Sequence, residues 1–301
     1  MRFFPHLRNL IAAAGVLSLA ACASVSGQNV TTDKTATVPA NVVNLQQIRN
    51  ATIKVDYAGT TFLIDPMLAD KGAYPGFEGT YNSQLRNPLV ELPMPASEVI
   101  RADAVILTHL HPDHWDEAAK QSLPKDIPIF TQNEADAQAV RTDGFRDVRV
   151  LTENTVFEGT RLSKTSGQHG SDAMMQSPLG ALLGTVSGVV FQRSGHKTVY
   201  VAGDTVWNHH VEGAIRGYRP DVIVLNAGYA RVPGFDGSII MGKEDVFRAY
   251  RFAPEATVIA SHMEAVNHGM LTRKELRDYI AEKQMNPQRV RVPEDGESYV
   301  F

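Results

Sequence analysis

At 301 residues, with 43% hydrophobic and 21% charged side chains, the chain is long enough to bury a sizeable core. A formal net charge of -4 and the lack of a long basic run argue against nucleic acid as a partner. Its single cysteine, Cys22, rules out an intrachain disulfide in any compartment.

Arg2 and Arg8 precede an apolar run from Leu10 to Ala21, the layout of an export signal, and the run is too short to read as a transmembrane helix. Leu19-Ala20-Ala21-Cys22 resembles a bacterial lipobox, which implies removal of residues 1–22 as a leader and lipidation at Cys22. No aspartate follows that cysteine, which by the same resemblance favours the outer membrane. The expected location is the periplasmic face of an envelope membrane. The competing reading is cleavage at Ala21-Cys22-Ala23 and a secreted or soluble periplasmic product. Residues 23–44 show no clear period and read as a flexible tether, leaving 45–301 as one catalytic domain.

Order is expected from Ile53, Val55 and Tyr57, which alternate with polar residues as in a half-buried strand. Ala58-Gly59 then turns the chain into Phe62-Leu63-Ile64-Asp65. From Met67 to Ser97 a Gly-, Pro- and aromatic-rich loop reads as an ordered cover near a pocket. Beyond it strands and helices alternate. Strands are expected at Ala104 to Leu107, Ile127 to Phe130, Val148 to Leu151, Arg161 to Lys164, Val186 to Gln192, Thr198 to Ala202, Val222 to Leu225 and Thr257 to Ala260. Helices are expected at Glu134 to Arg141 behind an Asn133 cap, at Lys243 to Phe252, and at Arg273 to Lys283 behind a Thr272/Glu275 capping box. Such a pattern predicts an α/β domain with helices layered on sheet.

The densest chemistry lies in Thr108-His109-Leu110-His111-Pro112-Asp113-His114, directly after a buried strand. Four potential metal donors within six residues are costly to assemble without a cation. In an extended segment His109 and His111 face one way and can share an ion, while Asp113 and His114 face a second. Pro112 predicts that Asp113 and His114 begin a helix. Elsewhere His169, Asp204 and His262 each stand at or just after a strand end, and an aspartate at such a place can bridge two metals. His268 is a rival to His262, or else touches substrate. Asp65 at its strand end is placed to orient a ligand histidine. Tyr74, Phe77, Tyr81 and Met174-Met175 suggest an apolar lid, and Arg86 or Arg231 a contact for an anionic group.

The His109 to His114 stretch resembles the HxHxDH signature of the metallo-β-lactamase superfamily, and Asp65, His169, Asp204 and His262 follow its ligand order across nearly the whole mature chain. The resemblance implies an αββα sandwich, mixed sheets with helices on the outer faces and metals at one edge between them. It implies His109, His111 and His169 around one ion, Asp113, His114 and His262 around a second, and Asp204 between. Ile64-Asp65-Pro66, Gly203-Asp204-Thr205 and Met241-Gly242 resemble the branch of L-ascorbate-6-phosphate lactonase-like hydrolases. Asn50 departs from it, standing where many relatives carry histidine.

The function so implied is hydrolysis of an ester, lactone, amide or phosphodiester in a small molecule by hydroxide generated at two divalent ions, zinc by default, with manganese or iron also fitting. Asp113 would orient the nucleophile. The rival readings are a mononuclear iron oxygenase of the same fold, similar to persulfide dioxygenase, and a non-catalytic metal-binding envelope lipoprotein. A true β-lactamase is a third, which fold alone does not support.

Overall fold

Alternation within single strands shows how the layers form. Ala104 and Ile106 point into one apolar cluster and Val105 into another; Val222 and Val224 share the first, while Ile223 and Leu225 enter a third. A strand whose two faces both bury apolar side chains must have a partner layer on each side.

The computed structural model describes residues 41–301. The expected leader, its Cys22 lipidation site and most of the tether lie outside the described residues. In chain order the first half runs β1 (Val43–Arg49), β2 (Thr52–Tyr57), β3 (Thr60–Ile64), α1 (Ala96–Val99), β4 (Ala104–Ile106), α2 (Glu117–Ser122), β5 (Ile129–Thr131), α3 (Glu134–Thr142) and β6 (Val148–Val150). The second half begins with β7 (Thr155–Phe157), β8 (Thr160–Ser166), α4 (Asp172–Met175), α5 (Pro178–Leu183), β9 (Ser187–Gln192) and β10 (Val199–Val201). It continues through α6 (His209–Tyr218), β11 (Val222–Asn226), α7 (Lys243–Phe252), β12 (Thr257–Ser261), α8 (Arg273–Glu282) and β13 (Val290–Arg291). Finally β14 (Ser298–Val300) returns to pair with β1.

Two seven-stranded mixed sheets result, ordered β14-β1-β2-β3-β4-β5-β6 and β13-β12-β11-β10-β9-β8-β7. Between them lies a cluster that includes Leu45, Val55, Phe62, Ile106, Phe130, Phe191, Val201 and Val224. Outside the first sheet, Val105, Leu107, Trp115, Ala119 and Val140 pack together; outside the second, Tyr200, Val211, Ile223, Val246 and Leu276 do so. The architecture is therefore the expected αββα sandwich.

Most expected elements form, including the β2–β3 hairpin, α3 with its Asn133 side-chain cap, and α8 with its capping box. One expectation fails at the histidine cluster. Asp113 and His114 do not start a helix. Residues 111–115 make a single turn closed by His114 N–H and Trp115 N–H on the His111 carbonyl, and α2 begins only at Glu117. Asp116 decides this, because its extended backbone and side chain, which accepts from Ala119 N–H, make it the N-cap. Its other oxygen accepts from Leu68 and Ala69 N–H and so anchors the start of the long loop. Elements absent from the expectation are mostly short or at sheet edges, β7, β13, β14, α1, α4 and α5; β1 and α6 are longer.

Candidate metal centre

Each half delivers its donors from strand ends. Within the first sheet β3, β4, β5 and β6 are parallel neighbours, as are β10, β11, β12 and β13 in the second. Carboxyl ends of parallel strands gather at one edge, where the chain leaves the ladder and side chains are free to converge. Asp65 follows β3, the 109–114 turn follows β4, Asp204 follows β10 and His262 follows β12. His169 follows β8, with Gly170 at φ +109° turning the chain away behind it.

Strain marks the same edge. Asp65 and His262 sit in the left-handed region at φ 47° and 60°, uncommon for residues with a Cβ and typical of sites held by their surroundings. His262 is held by its N–H donating to the Asn50 carbonyl at 2.9 Å. Its own carbonyl presses so close to Gly228 that any Cβ there would collide with it. Asn50, the departure from the lactonase-like pattern, ties the halves together: its side-chain amide donates to the Asp113 carbonyl at 2.9 Å and its carbonyl receives His262.

The donors meet. His109, His111 and His169 form one group whose potential ligand atoms lie within 4.8 Å of one another, and so do Asp113, His114 and His262; His109, His114 and Asp204 form a third. Asp204 Oδ2 is central, 3.1 Å from His114 Nε2, 3.6 Å from both His169 Nε2 and His262 Nε2, and 4.0 Å from His109 Nε2. Its other oxygen accepts from Asn226 Nδ2 at 2.7 Å. Asp113 Oδ2 lies 3.2 Å from His262 Nε2. Of the two rivals for the last donor position, His262 is in the cluster and His268 is in none of these groups.

A shell of acceptors orients the rings. Asp65 Oδ2 stands 2.9 Å from His114 Nδ1 and accepts from Thr108 Oγ1 at 2.6 Å, while Oδ1 accepts from Thr108 N–H at 2.8 Å. His169 Nδ1 donates to the Ile239 carbonyl at 2.8 Å, and His111 Nε2 to the Leu182 carbonyl at 3.0 Å. Each such bond fixes a proton on the outward nitrogen and turns the opposite nitrogen inward, where its lone pair would serve an ion. His109 Nε2 is buried with no hydrogen-bond partner among the described residues. An orphaned imidazole nitrogen among carboxylates and lone pairs has the chemistry of a cation site, and N/O donor sets of this kind suit zinc, manganese or iron.

Protonation follows the same geometry. Burial, reinforced by His114 and His111, holds His109 well below the usual imidazole range, and burial brings His169 down to about 4. Both are therefore neutral donors at pH 7. For Asp204 burial favours the neutral acid, but His114, His262 and His169 prevail and hold it well below the carboxylate range; Asp113 is held low against burial by His114 and His262.

Beside the donors opens a pocket of about 250 Å³, lined by His111, Asp113, His169, Asp204 and His268 and by an apolar wall of Phe77, Leu179, Leu182, Leu183, Val232 and Ile239. Of the aromatic loop, Phe77 reaches this pocket, whereas Tyr74 hydrogen-bonds Asp116 and neither Tyr74 nor Tyr81 lines it. Met174 is core rather than lid. Arg86 is spent on the Gly72 and Ala73 carbonyls and Arg231 on that of Gly237. The α5 wall was missed in the sequence, although Ser177-Pro178 followed by leucines at 179, 182 and 183 is a cap, an N-terminal proline and an apolar stripe.

The fold and the donor set together define a metal-dependent hydrolase of metallo-β-lactamase architecture. The chain belongs to the beta-lactamase superfamily, whose domain model matches residues 60–263, and within it to the UPF0173 proteins. It is 49% identical over 260 residues to UPF0173 protein YddR of Bacillus subtilis (strain 168), which covers 86% of this chain and 100% of that protein. Among solved structures it is similar to an isothiocyanate hydrolase from Delia radicum gut bacteria, with 48% identity, a TM-score of 0.83, and 86% of this chain and 99% of the other covered. A structure described as "a possible metal-dependent hydrolase" from Veillonella parvula DSM 2008 is 46% identical with a TM-score of 0.84, again over 86% of this chain and 99% of the other.

Proposed function

We propose that this hydrolase acts on a small, uncharged electrophile with one apolar substituent, an isothiocyanate being the leading substrate class and neutral esters, lactones and amides the next. The observation that carries this is the pocket lining: an apolar wall faces the donors, and among the described residues Glu78 is its one charged residue outside the candidate donor set, with no lysine or arginine. Such a lining suits a hydrocarbon group and offers a phosphate no cationic side chain beside the ions, so a phosphodiester is disfavoured. The isothiocyanate hydrolase at 48% identity supports the choice of electrophile.

His109, His111 and His169 would hold one divalent ion and Asp113, His114 and His262 a second, with Asp204 between and zinc the favoured metal. When bound, the ions supply an acidified water and a Lewis-acid contact for the electrophile. The chain's own groups do the rest. Asp113 and Asp204 remain carboxylates and offer oxygen donors, Asp65 orients His114, and Asp113 is positioned to orient the attacking water. The apolar wall holds the substituent and limits bulk water. With an isothiocyanate, one water adds across the central carbon and the adduct separates into an amine and carbonyl sulfide, which balances without a further reactant.

The test is a panel of benzyl isothiocyanate, a neutral aryl ester, a lactone, a phosphodiester and a β-lactam, with and without chelator. Chelator-sensitive turnover is expected for the neutral substrates, with the highest kcat/KM for the isothiocyanate. Preference for the phosphodiester, or no turnover of any neutral substrate by zinc-loaded protein, overturns the reading. We further propose export and lipid anchoring through Cys22, supported by Arg2, Arg8 and the Leu19-Ala20-Ala21-Cys22 sequence. Membrane-associated labelling by radioactive palmitate is expected to vanish in Cys22→Ala.

A further inference from the structure

Among the buried histidines at this edge, His268 is the one with no hydrogen bond at either ring nitrogen. It is 7% exposed, its Nδ1 is buried without a partner, and its Nε2 meets no acceptor or donor among the described residues. The ring lies on the wall of the pocket that also presents His111, Asp113 and Asp204. Burial brings its pKa down to about 4, so the ring is neutral and carries one N–H.

A loosely held side chain would explain an idle imidazole, but this one is tightly framed. Its ring meets Phe77 edge-on, centroids 5.2 Å apart at 88°. Its carbonyl accepts from Arg231 N–H at 3.0 Å, and the preceding residue is a hub. Asn267 accepts on Oδ1 from Phe77 N–H at 3.0 Å and from Asn87 Nδ2 at 2.8 Å. Its Nδ2 donates to Thr80 Oγ1 at 2.8 Å and to the Tyr81 carbonyl at 2.7 Å, and its N–H donates to Asn87 Oδ1 at 2.9 Å. Every hydrogen-bonding position of that amide is used, so the loop carrying Phe77 is clamped against His268.

A buried polar group kept rigid and unpaired is costly unless something outside the protein satisfies it. The pocket's other uncharged polar side chains are committed, Thr80 Oγ1 to the Phe77 carbonyl, His111 Nε2 to that of Leu182 and His169 Nδ1 to that of Ile239. We propose that His268 is the substrate-contacting donor of this pocket, the N–H at Nε2, the ring nitrogen that is not sealed off, hydrogen-bonding the electrophile's heteroatom as negative charge gathers there. For an isothiocyanate that atom is nitrogen or sulfur; for an ester or lactone it is an oxygen. This rests on the hydrolase reading above. Asn267 acts through His268 and Phe77 as a positioning residue.

The test compares His268→Phe, which keeps a ring against Phe77 and removes the donor, with His268→Gln, which restores an N–H. Zinc content is expected to match the parent in both, since neither change touches the donor cluster, and the thermal midpoint of the Phe variant to equal or exceed the parent's, since it removes an unpaired buried group. With benzyl isothiocyanate, kcat/KM is expected to fall roughly a hundredfold in the Phe variant, the scale for losing one preorganised donor, mostly in kcat, and to recover about tenfold in the Gln variant. Parental kcat/KM in the Phe variant, or a Gln variant no better than Phe, overturns the proposal. If the parent turns over no neutral substrate, the function reading alone has failed. Calorimetric affinity of the zinc-loaded proteins for benzohydroxamic acid then decides, a loss of about tenfold or more in His268→Phe supporting the contact and equal affinity overturning it.

Discussion

Asp65→Asn alters a single atom at the centre of the supporting shell, and its consequence can be worked through. The carboxylate accepts three times: from Thr108 N–H at 2.8 Å on one oxygen, and from Thr108 Oγ1 at 2.6 Å and His114 Nδ1 at 2.9 Å on the other. An amide cannot accept at both ends. With its NH2 toward His114, the imidazole proton must move from Nδ1 to Nε2, and the lone pair facing Asp204 and His262 is lost. With the amide turned over, NH2 opposes Thr108 N–H across the 2.8 Å contact. Loss of such an orienting partner weakens metal binding by roughly tenfold to a hundredfold, about 1.4–2.7 kcal/mol. The unmatched buried donor adds about 1–3 kcal/mol of instability to the metal-free protein. Competition for zinc against a chromogenic chelator reads the first quantity, and denaturant unfolding of stripped protein reads the second. Zinc affinity within about threefold of the parent would refute the assignment of Asp65 to orienting His114.

Stripping the metal should lower stability by mass action, by about 2.7 kcal/mol when free zinc had stood a hundredfold above its Kd; calorimetry with and without chelator checks this, and an unchanged midpoint counts against a resident metal. Asp116→Ala removes the α2 cap and leaves Leu68 and Ala69 N–H unpaired, so a loss of about 2–4 kcal/mol is expected in denaturant unfolding, against under 1 if the cap is decorative. His268 takes up its proton near 6.5 when unfolded but only near 4 when buried, so the unfolded state gains protons first as pH falls through that window. In metal-free protein this group should therefore cost up to ~3 kcal/mol of stability between pH 6.5 and 4, a component absent from His268→Gln. Superimposable stability–pH curves for the two proteins would falsify that burial.

Part of the centre was legible because chemistry and local pattern coincided. Three histidines and an aspartate on a strand-to-loop turn have few other uses, and expected strand ends at 202, 164 and 260 flagged Asp204, His169 and His262. What misled was local too: Pro112 looked like a helix start, yet Asp116 had the better capping geometry and the turn stayed separate. The same strand-end pattern favoured His262, directly after β12, over His268 six residues further on. Gly228 closing on the His262 carbonyl and Asn50 receiving its N–H settle which imidazole turns inward.

By itself the sequence determined the export-type leader as an expectation, the alternating α/β order and the donor residue types, while the grouping of distant donors into two sets came from the family resemblance. The first three depend on contacts within a few residues, where periodicity and turn chemistry act directly. Tertiary structure alone decided the pocket: that Leu179 and Leu182 from one segment, Ile239 from another and Phe77 from a third share a wall, that both sequence-suggested arginines are spent on loop carbonyls, and that His268 is left without a partner. Such facts arise from which surfaces meet when two sheets close on one another, and a vacancy in hydrogen bonding has no residue pattern of its own.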